Sequence, residues 1–267
     1  MKNQSTLSYA LVTGASSGIG KEITKILADR GYSIIAVSNQ EEQLKALKAE
    51  IEKEYSVSVI TFFIDLSAPD AAEKVFDHCR SGGYTVEVLV NNAGIYFSGE
   101  VTDVETEKAK KLLQLHMNTP AILCHLFGKQ MKIRKKGYIL NVSSISAVMP
   151  YPVISFYAPS KTFLRAFTRA LRTEMKPYHV HVTCLMPGAT LTSLFSLEPT
   201  VNIKMLSRTG ILMTPDKVAR KGVNGLFKNK AEVIPGYTNK LFFTLSKWTP
   251  HSVISMINHK RVKKETR

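Results

Sequence analysis

The run Thr13-Gly14-Ala15-Ser16-Ser17-Gly18-Ile19-Gly20 follows a short apolar stretch over 9–13 and leads into the helical spacing Ile19, Ile23, Ile26 and Leu27. A strand, a glycine turn and an amphipathic helix in that order constrain the fold more than any other feature of the chain. A helix N-terminus presents free N–H groups and the positive end of its dipole, and glycines let a pyrophosphate approach the backbone closely. Gly14, Gly18 and Gly20 supply this combination, spaced Gly-x-x-x-Gly-x-Gly rather than in the more general Gly-x-Gly-x-x-Gly pattern. A glycine triplet alone also fits an ordinary turn, but the flanking strand and helix weigh against that.

The alternation continues along the chain. Strands are predicted over 33–37, 57–64, 86–90, 137–142 and 179–185, and helices over 41–55, 68–81, 105–134 and 157–175, with Gly31 ending the first helix. Strand and helix in turn imply parallel βαβ units, hence an α/β fold in which a doubly wound parallel sheet has helices on both faces. No proline-, glycine- or serine-rich linker divides residues 1–267, so one domain is expected. Weak periodicity over about 189–214 reads as a loop-rich insertion able to act as a substrate lid, and 237–267 reads as a C-terminal extension.

The 36 Lys and Arg against 21 Asp and Glu give a formal charge of +15, which favours anionic ligands without selecting among them. The basic clusters at 129–136 and 260–267 carry no aromatic stacking platform and no nucleic-acid motif, so they read as solvated surface and no nucleic-acid partner is expected. Cys79, Cys124 and Cys184 have neither Cys-x-x-Cys spacing nor an even count, which points to a reducing compartment and indicates no metal site. No stretch approaches the roughly 20 apolar residues of a membrane-spanning helix, and no long apolar signal core precedes the glycine run. A soluble, cytoplasmic protein is the expectation. The sequon Asn141-Val142-Ser143 lies in a predicted buried strand and is taken as chance.

Tyr157 and Lys161 stand four residues apart, so on a helix they share a face. A free phenol titrates near pH 10 and exchanges protons poorly at neutral pH unless a neighbouring cation stabilises its anion. The pair is therefore a candidate proton donor and its tuner. Ser143 and Ser144 follow a predicted strand end, where ligands of open α/β sheets collect, and either hydroxyl is placed to bond a carbonyl oxygen as charge develops on it.

Thr13 to Gly20, Asn91-Asn92-Ala93-Gly94, Ser144, Tyr157-x-x-x-Lys161 and Pro187-Gly188 occur in the order and spacing of the short-chain dehydrogenase/reductases, and the chain resembles that family from about residue 8 to 192. Within it, the chain resembles the ketoacyl reductase and hydroxysteroid dehydrogenase subgroup. The resemblance implies a Rossmann-type fold, a nicotinamide cofactor, interconversion of carbonyl and alcohol, and a homodimer or homotetramer. It assigns Ser144, Tyr157 and Lys161 to catalysis, and Asn118 as the helix-kinking asparagine whose local backbone holds a water in a relay to the lysine. Gly14, Ser16, Ser17, Gly18, Ile19, Gly20, Asp65, Leu66, Asn92, Ala93, Gly94, Tyr157, Lys161, Pro187, Gly188, Thr190 and Thr192 are its implied cofactor contacts. Asp65 would meet the adenine; its alternative role is capping the next helix.

Counting from the glycine loop puts Ser38, then Asn39, where a carboxylate would bond the ribose 2′-OH and repel a 2′-phosphate. With no acid there, NADP(H) is the expected cofactor and NAD(H) the second choice, although the basic residue that NADP-binding members carry near Asn39 is absent. The stretches 149–156 and 189–211 are apolar and poor in charge, which predicts a small apolar ketone, aldehyde or alcohol as substrate. A non-catalytic dinucleotide sensor is the alternative from another class, and an epimerase or dehydratase a third reading. Leu241, Phe242, Phe243, Leu245 and Trp248, then Val253, Ile254, Met256 and Ile257 ahead of a basic tail, fit either a reversible membrane contact or a core or subunit contact.

Overall fold

The computed structural model describes residues 8–148, 151–192, 212–246 and 248. Its strands are β1 (Ser8–Thr13), β2 (Ser33–Ser38), β3 (Val59–Phe63), β4 (Thr85–Asn91), β5 (Gly137–Val142), β6 (Val180–Leu185) and β7 (Glu232–Val233). They form one sheet in the order β3-β2-β1-β4-β5-β6-β7, with every neighbouring pair parallel. The strand order reverses between β1 and β4, and at such a switch point the crevice outside the carboxyl ends of the strands receives the ligand.

Helices cover both faces because the strands are apolar on both. Ala10 and Val12 of β1 point to one side and pack with α1 (Gly18–Asp29), α2 (Glu41–Glu54) and α7 (Pro215–Phe227) through Ile23, Leu27, Leu44, Leu47, Val218 and Val223. Tyr9 and Leu11 point to the other and pack with α3 (Ala71–Ser81), α5 (Thr119–Arg134) and α6 (Tyr157–Met175) through Val75, Leu123, Phe127 and Met175. Each fully buried leucine, isoleucine or phenylalanine contributes roughly 1.5–3 kcal/mol relative to exposure. This two-sided packing is what fixes the sheet's C-terminal edge as a rigid platform.

The helix predicted over 105–134 is instead three pieces: α4 (Thr106–Leu113), a π-helical turn (Gln114–Asn118) and α5. Pro120 lacks the N–H that would bond the His116 carbonyl in an α-helix, which favours the wider turn there. The helix predicted from residue 68 begins at Ala71, after two tight turns in which Ala68 N–H bonds Asp65 O and Ala71 N–H bonds Ala68 O. Neither α7, β7 nor α8 (Tyr237–Ser246) was resolved by sequence pattern.

In the 189–214 insertion the two described flanks lie side by side. Leu191 N–H bonds Met213 O and Met213 N–H bonds Ala189 O, both at 3.0 Å. Most of the expected lid, 193–211, and all of the extension beyond Ser246 except Trp248 lie outside the described residues, as does Met149. Among the described residues no helix is long and apolar enough to cross a membrane.

Candidate active site

A cavity of about 1080 Å³ opens at the switch point, running from the glycine turn to the start of α6. Gly14 and Gly18 take the left-handed conformation, at φ +63° and +55°, as the turn from β1 into α1 requires. A Cβ on Gly14 would lie 2.9 Å from Ala93 Cα, and one on Gly20 would lie 2.0 Å from Gly14 O, so the turn packs too tightly for side chains. Thr13 closes it against β4: its Oγ1 accepts the N–H groups of Asn92 at 2.9 Å and Ala93 at 3.1 Å, while Asn92 Nδ2 donates to Thr13 O at 3.0 Å. The first turn of α1 has no side-chain cap and no acidic residue, and Ser17, Gly18 and Ile19 line the cavity. This is an anion cradle with no anionic side chain of its own.

Beside it, Ser16 Oγ lies 2.8 Å from Ser38 Oγ and donates to Gln40 Oε1 at 2.6 Å. Asn39 completes a polar wall without a carboxylate. Asp65 and Leu66 line the next stretch, where Asp65 Oδ1 accepts from Ser67 N–H at 2.9 Å and Ser67 Oγ at 2.7 Å. Asp70, not Asp65, precedes α3. Next to the glycine turn the lining continues through Asn92, Ala93 and Gly94 after β4 and through Pro187, Gly188, Thr190 and Thr192 after β6, with Thr192 close to Gly18. The residues fit a dinucleotide: tight glycines, an uncapped helix N-terminus and hydroxyls at the end of β2.

At the far end Tyr157 opens α6 and is buried, with the ring edges of Tyr96 and His116 at 5.1 and 5.6 Å between centroids. Burial pushes its hydroxyl up to about 12; a hydrogen bond with Ser144 pulls the other way, and Tyr96 adds to the rise. Lys161, one turn on, is also buried, and burial lowers it to about 8. Its Nζ donates to Val142 O at 3.2 Å and lies 5.7 Å from the Tyr157 ring centroid. Desolvation therefore dominates both groups in the ligand-free chain, and the lysine's charge is not what sets the phenol here.

The two serines divide. Ser143 Oγ donates to Lys161 O at 2.7 Å, tying β5 to the helix backbone, whereas Ser144 meets the phenol and accepts from Ser146 N–H at 3.1 Å. Of the residues singled out from sequence, two do not line the cavity. Gly20 sits behind the turn it permits. Asn118 closes the π turn that breaks the helix; its side chain is exposed, with Nδ2 donating to Gln114 Oε1 at 2.9 Å, and so faces away from the cavity. The residue that turn aims inward is His116. Gln40, and Phe242 and Leu245 of α8, also line the cavity; α8 is held there by Asn239, whose side chain lies so close to Gly188 that a Cβ on the glycine would sit 2.5 Å from it.

The short chain dehydrogenase family model matches residues 8–200. The chain is 30% identical over 218 residues to a very-long-chain 3-oxoacyl-CoA reductase of Phaeosphaeria nodorum, covering 80% of this chain and 64% of that protein. It is 30% identical over 223 residues to human 17-beta-hydroxysteroid dehydrogenase type 3, covering 81% and 67%. The chain thus spans about two thirds of the length of these curated relatives. Among solved structures, one from a study of 7beta-hydroxysteroid dehydrogenase stereoselectivity superposes with a TM-score of 0.86 at 25% identity, over 94% of this chain and 96% of that one. A short-chain dehydrogenase of Sphingobium yanoikuyae in complex with NADPH shares the fold, with a TM-score of 0.77 at 23% identity over 97% and 96%. By the extent of the family match and by these relatives, the chain belongs to the short-chain dehydrogenase family.

Proposed function

We propose that this protein is an NADP(H)-dependent oxidoreductase that interconverts an apolar ketone or aldehyde and its alcohol. The observation that carries the reading is one cavity with an anion cradle at one end and Ser144, Tyr157 and Lys161 together at the other. The glycine turn and the α1 N-terminus would hold the pyrophosphate, with Asp65 and Leu66 beside the adenine and Asn92 to Gly94, Pro187, Gly188, Thr190 and Thr192 along the nicotinamide half. Ser16, Ser38, Asn39 and Gln40 offer hydroxyl and amide groups and no carboxylate, which supports a 2′-phosphate over a free 2′-OH.

When bound, the nicotinamide supplies or takes the hydride. For reduction, Ser144 Oγ hydrogen-bonds the carbonyl oxygen and Tyr157 gives its hydroxyl proton to that oxygen, leaving a tyrosinate that Lys161 stabilises by charge. For oxidation the same proton returns to Tyr157. Burial raises the pKa of the phenol, which favours transfer of its proton as negative charge develops on the oxygen. Ile95, Tyr151, Ile154, Phe242 and Leu245 give the substrate end an apolar lining. The named substrates of the relatives, a very-long-chain 3-oxoacyl-CoA and a 17-beta-hydroxysteroid, support an extended apolar carbonyl compound.

The rest of the reading is carried over from the sequence and its family resemblance: one domain over 1–267, a lid over 189–214 and a homodimer or homotetramer. Three unpaired buried cysteines support a cytoplasmic, reducing environment. Reversible contact with a membrane surface would come through α8, where Tyr237, Leu241, Phe242 and Leu245 are exposed, as is Trp248 just beyond it. NADPH consumption against ketones and aldehydes of graded apolar length tests the proposal. Turnover that rises with apolar length is expected; cofactor binding with no turnover on any of them favours a sensor.

A further inference from the structure

His116 is buried, at 1% exposure, on the π turn between α4 and α5, and both of its ring nitrogens are committed. Nε2 accepts the Ile95 N–H at 3.0 Å, which requires that nitrogen to be unprotonated. Nδ1 then carries the hydrogen and donates to Ser160 Oγ at 3.0 Å, and Ser160 Oγ in turn donates to the Tyr157 carbonyl at 2.7 Å. The ring edge meets the Tyr157 ring, and a Cβ at Gly94 would lie 2.9 Å from Nε2. The imidazole is therefore wedged between the loop after β4, which lines the cavity, and the first turn of α6, which carries the phenol.

The groups facing it are Lys161, Tyr157 and Ser160 from α6 and the Gly94-Ile95 backbone from the loop. Burial is the largest cause lowering its pKa, the lysine's charge the next. Protonation would set an Nε2–H donor against the Ile95 N–H, so the ring has no room for a second proton. Its partners are an amide N–H at Nε2 and a serine hydroxyl bonded to a backbone carbonyl at Nδ1, so neither bond leads a proton toward the Tyr157 hydroxyl.

We propose that His116, rather than Asn118, is a positioning residue of this site: a neutral imidazole that locks the loop after β4 to the first turn of α6 and so sets where the Tyr157 hydroxyl meets the substrate oxygen. The kinetic part of this inference rests on Tyr157 being the proton donor; the hydrogen-bonding part does not. A misplacement of a catalytic group by about 1 Å can cost about 10²-fold in rate, so a clamp at this position has a measurable effect.

Two experiments on the full chain test it. Imidazole nitrogen NMR of the wild type, assigned with His116→Asn, should show His116 as the neutral Nδ1–H tautomer with no titration between about pH 5 and pH 8. A ring that titrates near its ordinary pKa, or an Nε2–H tautomer, overturns the proposal whatever the enzyme's activity. In steady-state kinetics, His116→Phe keeps the ring contact and loses both hydrogen bonds, and should lower kcat by about tenfold or more with the NADPH Kd and the substrate KM within about threefold. Asn118→Ala should stay within about twofold of wild type. His116→Asn retains an acceptor for Ile95 N–H and should recover part of the loss, and Ser160→Ala, which leaves the ring in place, should lower kcat in the same sense. Wild-type kcat in a folded His116→Phe, or in both His116→Asn and Ser160→Ala if the phenylalanine variant does not fold, overturns the clamp. An active Tyr157→Phe would instead sink the proton-donor reading, and the tautomer result would stand.

Discussion

Burial favours the uncharged form of both residues that share the first turns of α6, and so moves their pKa values in opposite directions. Lys161, lowered to about 8 from an ordinary 10.5, resists carrying its proton in the fold, whereas Tyr157, raised to about 12, resists losing one. Between about pH 8 and pH 10.5 the unfolded chain binds the lysine's proton and the folded chain does not, so this residue's penalty on stability is full below pH 8 and is relieved as pH rises through that window. The tyrosine works the other way, with stability falling as pH rises from about 10 to 12. Replacing Lys161 with Met, of similar length, should therefore raise the melting temperature of the ligand-free protein at pH 7, by an amount corresponding to about 3 kcal/mol at most, and abolish turnover. Melting curves at pH 7 and pH 10 check this: the advantage should shrink at the higher pH, and a less stable Met variant at pH 7 would refute it. At this scale the meeting of Gly14, Gly18, Tyr157 and Lys161 at one cavity was legible from their spacing. His116 was not, since the kink within 105–134 was expected at Asn118, and only the π turn decides which of His116 and Asn118 faces inward.

In the proposed function, the end of β2 is the element on which cofactor choice turns. Ser38 and Ser16 lie within hydrogen-bond distance, and Gln40 closes the knot, so a negative charge placed at Ser38 would stand in the polar wall to which the proposed function assigns the 2′-phosphate. Ser38→Asp should weaken NADPH binding by about tenfold or more and favour NADH, since one unit of like charge at close range is worth a few kcal/mol near a protein surface. Dissociation constants for both nucleotides at one salt concentration decide it; a wild type that already prefers NADH would contradict the cofactor assignment. Elements with strong apolar strands and amphipathic helices, β1 to β6 and α1, α2, α3 and α6, were readable within a few residues, whereas α4 and α5 read as one helix. β7 is two residues long and α7 follows a stretch of weak periodicity, so neither leaves a pattern that a window of residues can separate from loop.

Across the whole molecule, the sheet brings residues from 14 to 246 to one edge, and no local pattern could have shown that α8 closes the same cavity as the glycine turn. Phe242 and Leu245 of α8 line the cavity and are also exposed, and the sequence after α8 is basic, which is the arrangement the proposed membrane contact requires. Leu241→Ser with Tyr237→Ser should reduce sedimentation with anionic vesicles severalfold and leave NADPH binding unchanged; equal sedimentation would remove α8 as the contact. The central claim is that the cavity unites a dinucleotide with a tyrosine that exchanges a proton with the substrate. Its most direct test is Tyr157→Phe, which removes the hydroxyl and keeps the buried ring: kcat for NADPH-dependent carbonyl reduction should fall by about 10² to 10⁴ while the NADPH Kd stays within about threefold. Reduction at the wild-type rate by a folded Tyr157→Phe protein would contradict the account.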